Sequence, residues 1–353
     1  MPRLRARDAH AGLLRGLCVC AIAIAGASPA RAETVEQFYS GKQIKFVVGS
    51  AGGGGYEVYS RLVSLYMSRH LGGHPLFVMQ EMPGAGGMVA ANYLYNIARQ
   101  DGSEIGMVGR GTGIEPLLDP KDKGPRYVAT KLNWIGTPQQ EVGLVLMRLP
   151  SPIATMADLK AHELIVSGTT SAAAPSYYPR LMNKLLGTRF KVVDGYKSSQ
   201  EALLALERGE VDGHCSGSSS AALRARIEPW VGAGRVKILA QIGREKDPDY
   251  SDVPLILDLA ASTADRQILE LALTQQVMAW PIVAPPGVPP ERVRALRDAF
   301  DATMQDPEFL VEAGRQKLII NPVSGEKISA LLERIYALPK ELLARVATLS
   351  EKN

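Results

Sequence analysis

Cysteine is nearly missing from this chain: Cys18, Cys20 and Cys215 are the three in 353 residues. Two of them fall in a front segment predicted to be removed, so Cys215 stands alone and an internal disulfide is excluded from the remainder. As a nucleophile Cys215 would want a histidine, but His214 is its sequence neighbour and in a strand faces the opposite way. A small buried apolar residue is the better reading. Histidine is scarce too. His70 and His74 are four apart, yet Gly72-Gly73 breaks the helix that would align them, and His162 and His214 add no third ligand. No metal site and no cofactor are predicted.

Other absences narrow the function. Tyr56-Glu57 stands where a phosphate-binding loop needs Lys followed by Ser or Thr, and no G-x-G-x-x-G is followed by an acid at the spacing of a dinucleotide site. A G-x-S-x-G elbow is missing, which weakens the alternative of a secreted hydrolase built on Ser167 or Ser216. The longest apolar run, 17–27, is shorter than the roughly 20 residues a spanning helix needs. Net charge is small as well. Lys and Arg number 40 against 36 Asp and Glu, and Arg3, Arg5, Arg7, Arg15 and Arg31 against Asp8 lie in the first 32 residues, leaving 35 of each sign beyond. A neutral body gives no reason to expect a nucleic-acid partner.

What is present begins with those arginines. A basic start, the apolar run 17–27 and Ala30-Arg31-Ala32 form a secretory signal, so export with cleavage after Ala32 is predicted. Beyond it, strand-like runs (45–48, 76–80, 104–108, 144–147, 164–167, 190–193, 236–242, 277–283) alternate with helical patterns (56–70, 88–98, 175–186, 199–208, 221–228, 290–304, 325–338, 340–349). Such alternation predicts an α/β protein with mostly parallel sheets, and the length suits two domains. Without a polar linker the chain should cross between them more than once. The apolar stretches 143–149 and 277–285 are the expected crossings.

The main candidate site is the loop after the first strand. Gly52, Gly53, Gly54 and Gly55 lead into Tyr56-Glu57 and a helix, and amides at a helix start favour an anion. Glu57 lies in the first helical turn, where it favours the dipole or meets a ligand ammonium, hydroxyl or water. Pro83-Gly84-Ala85-Gly86-Gly87 is a second glycine loop, better read as a packing turn. Arg110, between Gly109 and Gly111, is either a carboxylate clamp or a surface arginine. Ser167, Thr169, Thr170 and Ser171, with Gly168, offer hydroxyls and amides before a helix, or simply cap it.

These segments, in order, resemble the Bug (TctC-like) family of periplasmic receptors of tripartite tricarboxylate transporters. The resemblance spans nearly all of the exported chain: Gly53-Gly54 with Arg61, 83–87 with Asp101-Gly102, Tyr196-Lys197, Val211-Asp212, Asp252-Val253-Pro254, Trp280, and Pro285-Pro286-Gly287. It implies a two-lobed clam-shell of the type II periplasmic-binding-protein class, with lobe I from 33–146 and 280–353 and lobe II from 147–279. It implies a monomeric, non-enzymatic periplasmic protein that holds a small organic acid between the lobes and delivers it to membrane permease subunits. A sensor of the same shape is the alternative. By this likeness the carboxylate is gripped by 50–57 and 167–171, with Tyr196 and Ser216 nearby. Ser50 replaces a usual aromatic, Tyr56 a frequent Thr, Glu57 an Asp and Ser216 an Asp, so an altered ligand is expected.

Overall fold

The computed structural model describes residues 33–51, 55–118, 124–169, 173–216 and 221–349. The predicted signal segment lies outside them. Strands β1 (Gln43–Val48), β2 (Leu76–Glu81), β3 (Glu104–Met107), β4 (Asn133–Thr137), β5 (Gly143–Arg148), β6 (Leu164–Ser167), β7 (Phe190–Val193), β8 (Gly213–Cys215), β9 (Val236–Ile242), β10 (Ile282–Ala284) and β11 (Val323–Ser324) form two sheets. The first has the order β11-β4-β10-β3-β1-β2 and the second β7-β6-β8-β5-β9. This is the expected two-lobed α/β arrangement, and both sheets are mixed. β1 pairs parallel with β2 and β3, and β6 with β7 and β8, whereas β10, β11 and β5 run antiparallel to their neighbours.

Helices α1 (Val35–Tyr39), α2 (Gly55–His70), α3 (Met88–Asn96), α4 (Glu115–Leu118), α5 (Ala174–Leu186), α6 (Ser199–Arg208), α7 (Ala221–Gly232), α8 (Thr263–Ala272), α9 (Thr274–Val277), α10 (Pro290–Gln305), α11 (Pro307–Arg315), α12 (Gly325–Tyr336) and α13 (Lys340–Leu349) cover the sheets. Helix α2 buries Tyr59, Leu62, Val63, Tyr66 and Met67, a stripe at helical spacing laid on the first sheet and on α10. Helix α6 starts where Ser198 Oγ accepts from Glu201 N–H at 3.1 Å and stops at Gly209, whose φ of 75° only glycine adopts freely.

One expected crossing is corrected. Gly143–Arg148 is a strand of the second sheet, paired with both β8 and β9, so the chain leaves the first sheet over 138–142. The other expected strand, 277–283, begins as the end of α9 and becomes sheet only at Ile282–Ala284. The two crossings lie side by side. Glu141 N–H donates to Gln276 O at 2.7 Å and Ala279 N–H to Gln139 O at 3.3 Å.

Candidate functional site

Parallel strands present their C-terminal ends, and the loops that follow them, to the space where α/β proteins hold ligands. In the first lobe those loops follow β1 and β3. Gly53 and Gly54 lie outside the described residues. Ser50 is half-buried, its Oγ donating to Ala51 O at 3.2 Å. Gly55 opens α2 against Trp280: a Cβ there would stand 2.5 Å from Trp280 Cη2. Trp280 stacks on Tyr59 at 4.9 Å and meets Tyr56 edge-on at 4.8 Å. Its Nε1–H donates to Gln139 Oε1 at 2.9 Å, and Tyr59 OH lies 2.8 Å from the same oxygen. Burial pushes the Tyr59 phenol up to about 12, so it acts as a neutral donor. This aromatic brace fixes the loop's exit to the crossings.

Glu57 pairs with Arg61 one turn along the helix, at 2.7 Å. Its carboxylate therefore sits in the first turn with a partner already at hand, in keeping with the helix-dipole reading. Gly87, in the second glycine loop, has φ +96°, and a Cβ on it would collide with the Gly109 backbone. That loop packs on the Val108-Gly109 backbone, as a packing turn does.

Arg110 follows β3. Its own N–H donates to Tyr56 OH at 3.2 Å, which ties it to the start of α2. Its guanidinium faces Glu141 on the first crossing, Nη1 to Oε2 at 2.8 Å and Nη2 to Oε1 at 3.5 Å. Burial alone would lower the guanidinium's pKa; Glu141 outweighs it and holds the group charged. Tyr178 on α5, in the second lobe, is buried within the electrostatic reach of both, and burial raises its pKa. Gln276 is buried beside them at the end of α9, its backbone oxygen accepting from Glu141 N–H and its side chain against the Tyr178 phenol. Arg110, Glu141, Tyr178 and Gln276 thus draw together both lobes and both crossings. Arg110 and Tyr56 were named from sequence. Glu141, Tyr178 and Gln276 were not, since their meeting depends on how the lobes face each other.

The second lobe departs from expectation. Ser167 is fully buried, its Oγ 2.7 Å from Ala202 O and 2.9 Å from His214 Nδ1. Burial pushes His214 down to about 4, so the ring is neutral, and the pair ties β6 to β8 and α6 inside the lobe. The amides expected to grip an anion are directed inward as well. Gly168 N–H donates to Val193 O at 2.8 Å and Thr169 N–H to Ser176 Oγ at 2.9 Å. Ser176 Oγ donates in turn to Asp194 Oδ1 at 2.6 Å, and Arg180 Nη2 to Asp194 Oδ2 at 2.6 Å. Such a chain of bonds holds the loop's shape and leaves these two amides committed to the protein. Thr170 and Ser171 lie outside the described residues. Ser216 Oγ accepts from Leu144 N–H at 2.8 Å, fastening β8 to β5. Tyr196 is half-buried on the cluster of Leu144, Leu203 and Leu206, its OH 3.4 Å from Glu210 Oε2.

An opening beside the crossings has a volume of about 320 Å³ and is lined by Gln139, Gln140, Arg224, Asp247, Asp249 and Asn321. Arg224 pairs there with both Asp247 and Asp249, so its charge is matched within the wall. Among the described residues, no group of three His, Cys, Asp or Glu side chains could hold a metal ion, and no helix is long and apolar enough to cross a membrane.

Comparison with known proteins gives a consistent result. The sequence profile described as the tripartite tricarboxylate transporter family receptor matches residues 59–323. A Cupriavidus necator protein named for its place in the gbd 5′ region is 26% identical over 316 residues, covering 85% of each chain. A Bordetella bronchiseptica protein that shares its UPF0065 label is 25% identical over 301 residues, covering 84% of this chain and 82% of the other. Among solved structures, a solute-binding protein from Polaromonas superposes with a TM-score of 0.68 at 18% identity, over 87% of this chain and 99% of that one. A protein from R. palustris solved with adipate gives 0.53 at 21% identity, over 87% and 98%. The matched span, from the helix after the first glycine loop to the last strand of the first sheet, is most of the chain: it belongs to the tripartite tricarboxylate transporter receptor family.

Proposed function

We propose that this protein is exported to the periplasm, cleaved after Ala32, and captures a small organic carboxylate between its two lobes for delivery to the membrane subunits of a tripartite tricarboxylate-type transporter. It does so without catalysis. Family membership supports the receptor class, and the adipate held by the R. palustris relative supports an organic acid as ligand. The observation that carries the placement is Arg110. It is a charged guanidinium after β3, tied to the start of α2 through Tyr56 and paired with Glu141 on the first crossing. Gly55, Tyr56, Glu57 and Arg110 form the first-lobe wall of this seat. The second lobe contributes chiefly Tyr178, because the Gly168 and Thr169 amides are bonded within the lobe.

The test is native mass spectrometry of protein purified from the periplasm, followed by calorimetry with a panel of organic acids. A carboxylate co-purifying with the protein and binding again after removal is the expected result. A ligand with no acidic group would overturn the reading. For the transport role, loss of uptake of that acid on deleting the gene is expected, and unchanged uptake would refute it.

A further inference from the structure

The Arg110–Glu141 pair has spare hydrogen-bonding capacity of both signs. A guanidinium has five N–H donors. Contacts at 2.8 and 3.5 Å direct its two terminal nitrogens at Glu141, and its side chain is 39% exposed. A carboxylate offers about four lone-pair positions. Among the described residues, Arg110 is the hydrogen-bond partner of the Glu141 side chain, which is only 12% exposed. Bulk water therefore reaches it poorly.

A bare carboxylate brought to Arg110 meets the like charge of Glu141 a few ångströms away, in a place where screening is weak. A ligand carrying an N–H donor next to its carboxylate meets no such conflict. Its anionic oxygens take donors from Arg110 and its N–H donates to Glu141. Glu57 does not supply the same selection, since Arg61 already neutralises it at 2.7 Å.

The geometry points to an α-amino acid, or another small acid with an N–H donor beside its carboxylate, as the ligand class of this cleft, with Glu141 as the residue that selects it. This rests on the carboxylate-receptor reading above and deepens it.

Calorimetry on the exported protein with matched pairs tests it: succinate against aspartate, adipate against 2-aminoadipate, and 3-phenylpropionate against phenylalanine. In at least one pair the amino-bearing member should bind about tenfold tighter or better, the size of a charge-assisted hydrogen bond. Glu141→Gln should bring that ratio to about one, weakening the amino acid and strengthening the bare acid. Arg110→Gln should weaken both members together. Equal binding of every pair by the unmodified protein overturns the inference and leaves the carboxylate reading standing. So does a preference that survives Glu141→Gln. Binding by no acid overturns both. If Glu141→Gln fails to fold in a thermal melt, the ratio in the unmodified protein decides.

Discussion

Gly55 is a glycine because Trp280 occupies the space of its side chain, with a Cβ falling 2.5 Å from the indole. The indole has little room to retreat, being stacked on Tyr59 and bonded to Gln139. Gly55→Ala should therefore cost roughly 1–3 kcal/mol, the range of an overpacked site. Urea denaturation would read it, and an unchanged midpoint would show that Trp280 yields. Sequence reasoning took the glycine run as room for an anion; for Gly55 the reason is an aromatic ring 225 residues further along the chain, which no local pattern reveals. His214 makes a different prediction. Burial sets its folded pKa at about 4, below the ordinary value of about 6.5. Between those values the unfolded chain binds more protons, so stability is full above about pH 6.5, falls as the pH drops toward about 4, and then levels. The expected loss is on the order of 3 kcal/mol. His214→Gln should flatten that part of the profile. Parallel stability–pH curves for the two proteins would rule the explanation out.

At the scale of elements, helix α11 depends on its cap. Asp306 Oδ1 accepts from Glu308 N–H at 2.8 Å and Phe309 N–H at 3.3 Å, while Oδ2 lies 2.9 Å from His70 Nε2 on α2. The His70 contact, then the two amides, hold the Asp306 carboxyl below the usual carboxylate range. A depressed carboxyl adds stability above its unfolded pKa and loses it as the pH falls through the folded one. Asp306→Ala should cost about 1 kcal/mol at neutral pH, whereas Asp306→Asn should keep most of the cap. Equal melting temperatures for the Ala variant and the parent would refute this. Helices with a periodic apolar stripe were legible in the sequence, as α2, α6 and α10 were. So were the apolar strands β1, β6 and β9. Strand β8, Gly213–Cys215, is missing from the runs read as strands, because three residues with a histidine in the middle carry no alternation. It is a strand because β5 and β6 flank it. Strand β4, Asn133–Thr137, was missed for a similar reason: its apolar content is Trp134-Ile135, and pairing with β10 and β11 makes it sheet. Helix α8 could have been read, since Ser262 and Asp265 precede Ile268, Leu269 and Leu271. The candidate site was half legible. Its first-lobe residues lie in glycine loops after strands, but its carboxylate Glu141 sits on a crossing that sequence reasoning placed a few residues late.

Among the described residues, a third segment of the molecule joins the two crossings in bridging the lobes. The crossings 138–142 and 277–281 are bonded side by side. Helix α12 packs on β4 of the first sheet, and after Pro339 helix α13 runs back onto α8 and α5 of the second lobe while touching α4 of the first. Leu342 and Leu343 pack on the core there, and Arg345 Nη2 meets Asp265 Oδ1 at 3.0 Å in the first turn of α8. Opening the clam-shell must bend the paired crossings and also either turn at Pro339 or peel α13 away. Residual apolar contact between lobes favours the closed arrangement, and removing it shifts the population toward open forms. A chain ending at Pro339 should therefore show a larger radius of gyration without ligand in small-angle scattering, and should bind its ligand more weakly. Ligand should still contract it, because both covalent crossings remain. The full-length protein should contract less on binding, starting from a more closed state. If the two unliganded proteins give superimposable scattering curves and equal affinities, α13 is a passenger on the second lobe and the crossings alone govern the motion.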